Sequence, residues 1–314
     1  VAAFPKLISV LGPTASGKSD VALHLARKLD GEIISCDSML IYKGLNIGTA
    51  KPSSGELTEI PHHLVDLLEI SEPFDGKCFR DLAESAIIDC LQRSKTPILC
   101  GGTGFYARIL LQGIPMQPSN PDIDQAIQAE FNANGLHALE AELREIDPGS
   151  ADQTRDNPRR LMRALEIVRI TGKPVEPPAP TGKPSYVGPE FVLMPDPEST
   201  RNKVRKRTDL MFQAGWIDEV ASIMDTGLLE TPTARQALGY PVIADWLKEG
   251  HEESDTDAFN QLKESIITAT CRYAKRQRTW FRHQHPDAIQ IPLSGEWQSA
   301  QVAETVLAHL QHEG

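Results

Sequence analysis

The first part of the chain alternates short apolar runs with stretches in which apolar residues recur at helical spacing. Apolar, partly β-branched runs predict buried strands at 6–11, 32–36 and 97–100. Helical spacing of the apolar residues predicts helices at 20–29 and 79–91. Strands that alternate with helices form parallel sheets with right-handed crossovers. We therefore predict an α/β fold in which helices flank a parallel sheet.

This alternation stops after Pro115. Helical spacing without an obvious strand covers 123–132, 136–146 and 157–171, and a Pro/Gly-rich stretch follows at 172–189. We predict a small all-helical insertion domain at 118–185, carried by a core domain that consists of 1–117 and 186–314. The remaining predicted elements of the core are a long loop at 43–63, strands at 191–194 and 288–292, and helices at 199–225, 234–248, 258–283 and 296–311.

The segment between the first predicted strand and helix matches G-x-x-x-x-G-K-[ST]. Its residues are Gly12, Pro13, Thr14, Ala15, Ser16, Gly17, Lys18 and Ser19. Its glycines let backbone N–H groups face an anion, Lys18 is expected to reach the outer phosphate, and Ser19 to ligate Mg²⁺. The alternative is a Gly-rich turn with a surface lysine. The flanking strand and helix favour a P-loop NTPase-like core, as in nucleotide- and ATP-binding proteins, that binds a di- or triphosphate.

Two polar residues follow predicted strands, at the edge where ligands of open α/β sheets bind. Asp37 follows the second strand and can hold Mg²⁺ through water or accept a proton from a substrate. An N-cap carboxylate at the turn that begins at Ser38 is an equally weighted alternative. Thr103 lies in the glycine-rich run 101–104. Its hydroxyl can bond to a phosphate oxygen and the glycines permit close approach by a ligand, although the same run would also form a simple tight turn.

The cysteines and histidines argue against a structural metal site. The five cysteines form no C-x-x-C pair, which indicates reduced thiols in a cytosolic chain. His62 and His63 point apart and no third ligand is spaced to join them, so a structural role is favoured over metal binding. No apolar run is long enough to span a membrane, and the chain enters a predicted strand at once. We therefore expect neither a membrane segment nor a signal peptide.

The charge distribution is uneven. A net charge of −11 argues against a generic nucleic-acid binder, yet basic residues cluster at 159–163, 202–207 and 272–278. Lys203 and Arg207 lie one helical turn apart, which predicts that both face one anion; a solvated basic face is the alternative. In the last cluster and just after it, basic and aromatic residues interleave. This mixture suits single-stranded or looped RNA, and a helix with its aromatic residues in the core is the alternative.

Several runs together resemble the tRNA dimethylallyltransferase family, also called the tRNA isopentenyltransferases. They occur in the order typical of that family across nearly the whole chain, whereas the phosphate loop alone is shared with many kinases. The matching runs are Gly-Pro-Thr-Ala-Ser-Gly-Lys-Ser (12–19), Asp-Ser-Met (37–39), Ile-Gly-Thr-Ala-Lys-Pro (47–52), Pro-His-His-Leu (61–64), Gly-Gly-Thr-Gly-Phe-Tyr (101–106), Arg-Ala-Leu-Glu (163–166), Thr-Ala-Arg-Gln-Ala-Leu-Gly-Tyr (233–240) and Ala-Lys-Arg-Gln-Arg-Thr-Trp-Phe-Arg (274–282).

This resemblance implies transfer of a dimethylallyl group from dimethylallyl diphosphate to N6 of the adenosine at tRNA position 37, beside the anticodon, with Mg²⁺ as cofactor. Asp37 would accept the amine proton, and Thr103 would support the bridging oxygen or the base pocket. The loop at 12–19 and Arg207 would bind the diphosphate, the target base would leave its stack, and the helical insertion would clamp the anticodon stem-loop. The residues implied to contact tRNA are Asp37, Ser38, Met39, Leu40, Arg159, Arg160, Leu161, Met162, Arg163, Arg235, Gln236, Arg272, Lys275, Arg276 and Arg278.

We further expect a cytoplasmic monomer. The sequence departs from the family pattern at Leu40, where glutamine is usual, at Asp124, where arginine is common, and in the reversed order of Asp156 and Asn157. These changes would tune RNA preference or alter the substrate range without touching the diphosphate site. The alternative functions are an adenylate isopentenyltransferase that acts on free nucleotide, a small-molecule P-loop kinase and a non-catalytic RNA-binding switch.

Overall fold

The computed structural model describes residues 7–154, 156–176, 186 and 188–312. Over these residues the chain divides into two compact units. The first consists of Val1–Gly113 and Lys183–Gly314, and the second is Ile114–Gly182. The second unit and the predicted insertion at 118–185 thus cover nearly the same residues, and part of the predicted irregular stretch at 172–189 lies outside the described residues.

The first unit is built on a parallel sheet, which within the described ranges has six strands in the order β3-β2-β4-β1-β5-β6. The strands are β1 (Ile8–Leu11), β2 (Gly31–Ser35), β3 (His62–His63), β4 (Thr96–Gly101), β5 (Glu190–Pro195) and β6 (Ile289–Leu293). In its centre Ile8 pairs with Ile98, and Val10 pairs with Phe191. The predicted parallel α/β fold is therefore confirmed. The carboxyl ends of β1, β4 and β2 lie side by side at one edge of this sheet.

Helices cover both faces of the sheet. The helices of the first unit are α1 (Lys18–Leu29), α2 (Ser54–Glu59), α3 (Gly76–Gln92), α4 (Gly104–Leu111), α9 (Pro197–Gln213), α10 (Trp216–Ile223), α11 (Tyr240–Lys248), α12 (Thr256–Gln284) and α13 (Ser299–His312), with a 3-10 helix at Ala234–Gln236. The helices of the second unit are α5 (Pro121–Asn134), α6 (Leu136–Ile146), α7 (Pro148–Thr154) and α8 (Pro158–Thr171). Helices α1 and α13 pack over Ile33 and Ile98. The alternate residues Ile34 and Leu99 are also fully buried, so both faces of the central strands β2 and β4 are covered.

Most predicted strands and helices are confirmed, but several local predictions are wrong. The predicted loop at 43–63 contains α2, which begins with a capping box between Ser53 and Glu56, and the edge strand β3. The predicted helix at 199–225 is broken by Gly215, whose positive φ of 89° separates α9 from α10. Helix α7 was not predicted, because so short a segment shows no helical period.

In the part of the chain that is described, no helix combines the length and the apolar composition of a membrane span.

Among the described residues of the second unit the regular elements are all helices, as predicted for the insertion. Helices α5 and α8 both begin with an asparagine whose side chain caps the helix and is followed by proline. These caps fix where each helix begins and thereby which side chains turn inward. The core of the unit is formed by Ile127, Leu139, Leu143, Ala151, Leu161, Ala164, Leu165 and Val168.

Candidate active site

The loop between β1 and α1 has the backbone geometry of an anion cradle. Gly17 is left-handed (φ 79°) immediately before α1, and Ala15 also has a positive φ of 62°. Gly12 approaches β5 so closely that a Cβ there would lie 2.8 Å from the carbonyl oxygen of Leu193. Such turns point successive backbone N–H groups at one position in front of the helix N-terminus. The partial positive charge of the helix favours an anion at that position.

Side chains from distant helices hold this loop in place. Gln277 on α12 accepts the Thr14 backbone N–H through Oε1 at 2.9 Å, and its Nε2 donates to the Gly102 carbonyl oxygen at 2.9 Å. Arg207 on α9 donates from Nη2 to Thr14 Oγ1 at 2.6 Å. The loop is thereby fixed to α9, α12 and the end of β4 before any ligand binds.

Two cations stand beside the loop. Lys18 donates from Nζ to the Pro13 carbonyl oxygen at 3.2 Å. Burial lowers the pKa of Lys18, and it also lowers the pKa of Arg207, an effect that the Asp37 carboxylate partly offsets. Buried cations with one neighbouring carboxylate leave an excess of positive charge. A bound polyanion would relieve this excess, so the site is electrostatically suited to a diphosphate.

Asp37 follows β2, where it closes a turn and lines the cavity; its catalytic role stays a prediction. Its Oδ1 accepts the Met39 backbone N–H at 2.8 Å, which closes a turn. Its side chain also lines the cavity that contains Lys18 and Arg207. The turn therefore holds Asp37 at the wall of the cavity that Lys18 and Arg207 also line.

A cavity of about 460 Å³ opens beside the phosphate loop. Its size is in the range of pockets that enclose small-molecule ligands. Apolar side chains of Met211, Trp216 and Ile266 form part of its wall. The predicted site residues on its lining are Thr14, Lys18, Ser19, Asp37, Ser38, Met39, Leu40, Arg207, Gln236 and Arg276. The fold therefore brings together the phosphate loop, the Asp37 turn and a cation of the basic helix α12.

One face of α12 was missed by sequence reasoning. Ile266, Thr270, Tyr273 and Gln277 all line the cavity. They recur every three or four residues, which places them on one side of the helix. This periodicity was visible in the sequence, but the basic residues between them dominated the interpretation of the run. Burial raises the pKa of Tyr273, so its phenol stays protonated and remains a hydrogen-bond donor.

The cavity wall at Gly48, Thr49 and Ala50 is anchored by residues that sequence reasoning also missed. Glu219 accepts the Ile47 backbone N–H at 2.9 Å and the Tyr240 hydroxyl at 2.6 Å. The same hydroxyl accepts the Gly48 N–H at 3.1 Å. These contacts join segments that are far apart in the sequence, so no local pattern announces them.

Thr103 lies at the N-cap of α4, next to the site. Its side chain neither caps that helix nor lines the cavity, so its catalytic role stays a prediction. Its backbone N–H donates to the Cys36 carbonyl oxygen at 3.1 Å. The neighbouring glycines are approached closely by other parts of the protein and not only by a ligand site. A Cβ at Gly101 would lie 2.0 Å from the Cys36 carbonyl oxygen, and a Cβ at Gly104 would lie 2.3 Å from Trp280.

Lys203 does not join Arg207 at the cavity. Its Nζ lies 3.4 Å from the centroid of the Trp297 ring, a cation–π contact on another side of α9. The Trp297 ring itself lies against Gly17 of the phosphate loop, so it stays a prediction that Lys203 and Arg207 face one anion. Residues four apart on a helix point about 40° apart, and an aromatic ring from the carboxyl-terminal segment holds Lys203 on its own side.

Two residues of the basic run in the second unit turn inward. Leu161 is fully buried in the helical core, and Met162 packs against that core. The predicted contact of Leu161 with tRNA is wrong, because the helix turns this residue of the run into the core, whereas the contact of the partly buried Met162 stays a prediction. Leu161 and Met162 therefore stabilise the unit, and the surface of α8 is left to their neighbours.

The arginines of that run lie at the surface of the second unit. Arg159 and Arg160 are exposed in the first turn of α8. Arg163 forms an ion pair with Glu166, so part of its charge is already compensated. Asp124 lies near these arginines, and burial raises the pKa of its carboxyl. An RNA contact is consequently better supported for Arg159 and Arg160 than for Arg163.

The remaining predicted RNA-contacting cations belong to the first unit. Arg272, Lys275 and Arg276 are exposed on α12, and Arg276 also lines the cavity. Arg235 is exposed at the 3-10 helix. Arg278 is partly buried and donates to a backbone carbonyl, that of Pro195, at 3.4 Å. Most of these charges therefore face solvent, as an RNA-binding surface requires.

His63 lies beside Glu32 and Cys90, two partners that the sequence did not suggest. Its Nε2 lies 2.7 Å from Glu32 Oε2, and Cys90 Sγ lies 3.4 Å from the same oxygen. Within the described residues this is the one group of three potential metal ligands whose ligand atoms lie within 4.8 Å of one another. Arg93 already donates two hydrogen bonds to Glu32, at 2.5 and 2.7 Å. This group contains His63 but not His62, and the favoured structural role of His63 fits this ion-pair network between β2, β3 and α3.

Comparison with known proteins relates this site to one family. A family model described as IPP transferase matches residues 40–284, and one described as isopentenyl transferase matches residues 5–73. A tRNA dimethylallyltransferase of Thermus thermophilus is 40% identical over 288 residues, which are 91% of this chain and 92% of the relative. The tRNA dimethylallyltransferase of Chlamydia trachomatis serovar D is 40% identical over 283 residues, 88% of this chain and 89% of the relative.

Solved structures agree with this assignment. The full-length tRNA isopentenylpyrophosphate transferase of Bacillus halodurans superposes with a TM-score of 0.68 at 31% identity, covering 98% of this chain and 97% of that one. A eukaryotic dimethylallyltransferase described as acting on tRNA superposes with a TM-score of 0.75 at 26% identity, covering 92% of this chain and 74% of the other. With its phosphate loop, its Asp37 turn and these relatives, the chain belongs to the tRNA dimethylallyltransferase family of prenyltransferases.

Proposed function

We propose that this chain transfers a dimethylallyl group from dimethylallyl diphosphate to N6 of the adenosine at tRNA position 37. The observation that carries the proposal is the cavity in which Lys18 and Arg207, the Asp37 carboxylate and Arg276 of the basic helix share one lining. An anion site, a proton acceptor and a route from a basic surface are the parts that this reaction needs.

Lys18, Arg207 and the loop N–H groups act on the leaving group. As the C1–O bond of dimethylallyl diphosphate breaks, its electron pair stays on the diphosphate oxygen. Preorganised cations and N–H donors stabilise this charge without having to reorganise. The apolar wall of Met211, Trp216 and Ile266 keeps water from the allylic carbon, which would otherwise be hydrolysed.

The residues present fit the proposed Mg²⁺ cofactor. Ser19 lies in the first turn of α1, and both its side chain and the Asp37 carboxylate line the cavity beside Lys18. Mg²⁺ prefers such oxygen ligands and is commonly held by one or two protein groups together with substrate phosphates. When bound, the ion would neutralise part of the charge on the diphosphate.

Asp37 acts on the nucleophile. The N6 amine forms the new bond to C1 of the allyl group and becomes positively charged, so it must lose one N–H proton. The Asp37 carboxylate accepts this proton, and its hydrogen bond from the Met39 N–H holds it in place. The proposed role of Thr103, support of the bridging oxygen, is a separate part of the proposal because its side chain lies off the cavity lining.

The RNA enters from the side of α12. An adenosine inside a folded RNA loop must leave its stack to reach an enclosed site. Gln236 and Arg276 line the cavity at the exposed surface, where Arg272 and Lys275 add positive charge. We also propose that Arg159 and Arg160 of the second unit bind phosphates of the anticodon stem-loop. We further propose that the chain acts as a monomer in the cytoplasm.

The test is to incubate the protein with Mg²⁺, dimethylallyl diphosphate and unmodified tRNA, then digest the tRNA and identify its nucleosides by mass spectrometry. We expect N6-dimethylallyladenosine at position 37, and we expect Lys18→Ala and Asp37→Ala to abolish it. Lys248→Ala, which removes an exposed lysine at the end of α11, is the matched control and should leave the product unchanged.

Two other outcomes would contradict the proposal. Prenylation of free AMP with none of tRNA would assign the chain to the adenylate isopentenyltransferases. Phosphorylation of a small molecule by ATP, with no prenylated nucleoside, would assign it to the kinases that share this loop.

A further inference from the structure

One wall of the reaction cavity is formed by an indole ring. Trp216, at the start of α10, lines the cavity and is only 2% exposed, so protein and not solvent covers its far side. Met211 and Ile266, which belong to the same apolar wall, are also buried. The cavity is therefore closed behind these side chains, whereas the exposed Arg276 on its lining marks the side that is open to solvent.

The indole is held firmly by its surroundings. Two glycines from distant segments lie against it, because a Cβ at Gly48 or at Gly239 would come within 2.3 Å of an atom of the ring. The rings of Phe212 and Tyr240 pack against it as well, with centroids 5.4 and 5.7 Å from that of Trp216. A side chain packed this closely cannot move aside for an extra group without strain in its neighbours.

Size is the property that the indole contributes at this position. Its Nε1 atom is buried and has no hydrogen-bond partner among the residues that the structure describes. A buried N–H group without a partner destabilises a fold, and an all-carbon side chain would avoid that cost. Hydrogen bonding therefore does not explain a tryptophan here, and the volume that the ring takes from the cavity does.

Helix α9 leads from the diphosphate site to this ring. Arg207 and Met211 both line the cavity and lie four residues apart on α9, so Met211 follows Arg207 by one helical turn, about 6 Å. Trp216 comes next, at the start of α10. The prenyl chain is the apolar end of the donor whose diphosphate Arg207 would bind. Met211 and then Trp216 are the apolar groups that extend from that cation along the cavity wall.

We propose that Trp216 is the floor of the prenyl pocket, the wall at which the chain must end, and that it restricts the donor to five carbons. The inference rests on the proposed function, because it names what selects the donor for that reaction. Geranyl diphosphate reacts at the same C1 but carries one more isoprene unit on a terminal methyl group. The cavity of about 460 Å³ has to hold the allyl group and an adenine. Five more carbons need space on the order of the 150 Å³ that accepts benzene, and Trp216 occupies the place where that space would open.

An internal competition between two donors tests the floor. Wild type and variants receive unmodified tRNA with equal concentrations of dimethylallyl and geranyl diphosphate. Mass spectrometry of the digested tRNA then gives the ratio of the two prenylated adenosines, which does not depend on how much of a variant is folded. One methylene group too many changes kcat/KM by about 10–200-fold in a fitted apolar pocket, so wild type should favour the five-carbon donor at least about 100-fold.

Smaller side chains at position 216 should open the pocket according to the volume that each removes. We expect the geranyl share to rise in the order Trp216→Phe, Trp216→Leu and Trp216→Ala, by at least about 10-fold for the last. Trp246→Leu is the matched control, because Trp246 is a buried tryptophan on α11 that does not line the cavity. This control should lower Tm and leave the product ratio at the wild-type value.

A crystal structure of the wild-type protein tests the contact without any substitution. The ligand is the unreactive analogue of dimethylallyl diphosphate in which sulfur replaces the oxygen bonded to C1. We expect its terminal methyl groups within about 4.5 Å of the Trp216 ring, the distance at which apolar groups are in contact. Methyl groups that lie elsewhere in the cavity would overturn the floor.

Two kinetic results would overturn it as well. One is a wild type that uses both donors within about 10-fold, or a Trp216→Ala variant with an unchanged product ratio. The other is a variant that loses both products equally and has a higher KM for tRNA, which would assign the ring to the RNA base. If the wild type prenylates tRNA while these tests fail, the floor alone is wrong; if it neither binds dimethylallyl diphosphate nor prenylates RNA, the proposed function is wrong.

Discussion

Replacing Gln277 tests whether the phosphate loop is held ready for its ligand by α12. Gln277 is only 7% exposed, and it accepts the Thr14 N–H and donates to the Gly102 carbonyl oxygen. Gln277→Met keeps the length and volume of the side chain but removes both hydrogen bonds. The substitution leaves a buried donor and a buried acceptor without the partner that each has in the folded protein.

The expected loss follows from these two contacts. Each buried polar group left without a partner costs about 1–3 kcal/mol, so the free energy of unfolding should fall by roughly 2–4 kcal/mol. At about 2–4 °C per kcal/mol for a domain of this size, Tm should fall by about 5–10 °C. The released loop must also be ordered again on binding, at about 1–2 kcal/mol per residue, so the Kd for dimethylallyl diphosphate should rise about 10-fold.

The assays are thermal denaturation and calorimetric titration with dimethylallyl diphosphate and Mg²⁺. Gln261→Met, at an exposed position of the same helix, is the matched control and should change neither Tm nor Kd. Gln277→Glu should bind the diphosphate less well than Gln277→Met, since it adds a negative charge beside Thr14. If Gln277→Met keeps Tm within 1 °C and Kd within a factor of two, roughly the limits of such assays, the reasoning is refuted.

Three further predictions follow from the charged and buried residues. Arg207→Ala should raise the Kd for dimethylallyl diphosphate about 10- to 100-fold in the same titration, because a charge-assisted contact is lost, and an unchanged Kd would contradict the anion site. Leu161→Ala should lower the free energy of unfolding of the second unit by about 2–5 kcal/mol. Arg160→Ala should leave that free energy unchanged and weaken RNA binding. If Leu161→Ala instead weakens RNA binding without a loss of stability, the original prediction for Leu161 is restored. Glu32→Gln should cost about 2–3 kcal/mol at pH 7 in urea unfolding, because the hydrogen-bonded Arg93 lowers the pKa of Glu32 from an ordinary 4.5 to about 2. A carboxyl with a lowered pKa stabilises the fold above its unfolded pKa, so the difference between wild type and variant should persist above pH 4.5 and shrink as the pH falls toward 2; a difference that grows in acid would be inconsistent with this ion pair.

The parts of the site that the sequence predicts well are those set by local rules. Lys18 and Ser19 belong to a motif whose glycines, flanking strand and helix are contiguous, and their place at a helix N-terminus follows from that order. Asp37 and Thr103 follow strands, and parallel strands end at one edge of the sheet, so both were expected near the loop. This rule fixes the neighbourhood of a residue but not its side-chain direction, which is why Asp37 lines the cavity and Thr103 does not.

The parts that the sequence does not predict depend on distant partners. Lys203 contacts Trp297, His63 meets Glu32 only through the register of β2 and β3, and Glu219 on α10 holds the loop at Ile47. Each contact depends on how whole helices and strands pack together, so a short stretch of sequence does not predict it.

Leu161 and Gln277 are a different case, because the information was present in the sequence. Both lie within runs whose basic residues indicated a surface, and both are buried. The helical period of 3.6 residues separates the buried side of such a run from its exposed side, whereas the composition of the run does not.

The central claim is that the phosphate loop binds the diphosphate while Asp37, in the same cavity, accepts the proton of the RNA amine. It is tested most directly by Asp37→Asn in single-turnover kinetics with tRNA, together with the Kd for dimethylallyl diphosphate. Asparagine can still accept the Met39 N–H, so the turn should persist. We predict that formation of N6-dimethylallyladenosine slows at least about 100-fold while the Kd is unchanged or lower. An undiminished rate, or a loss of rate matched by an equal loss of diphosphate affinity, would contradict the claim.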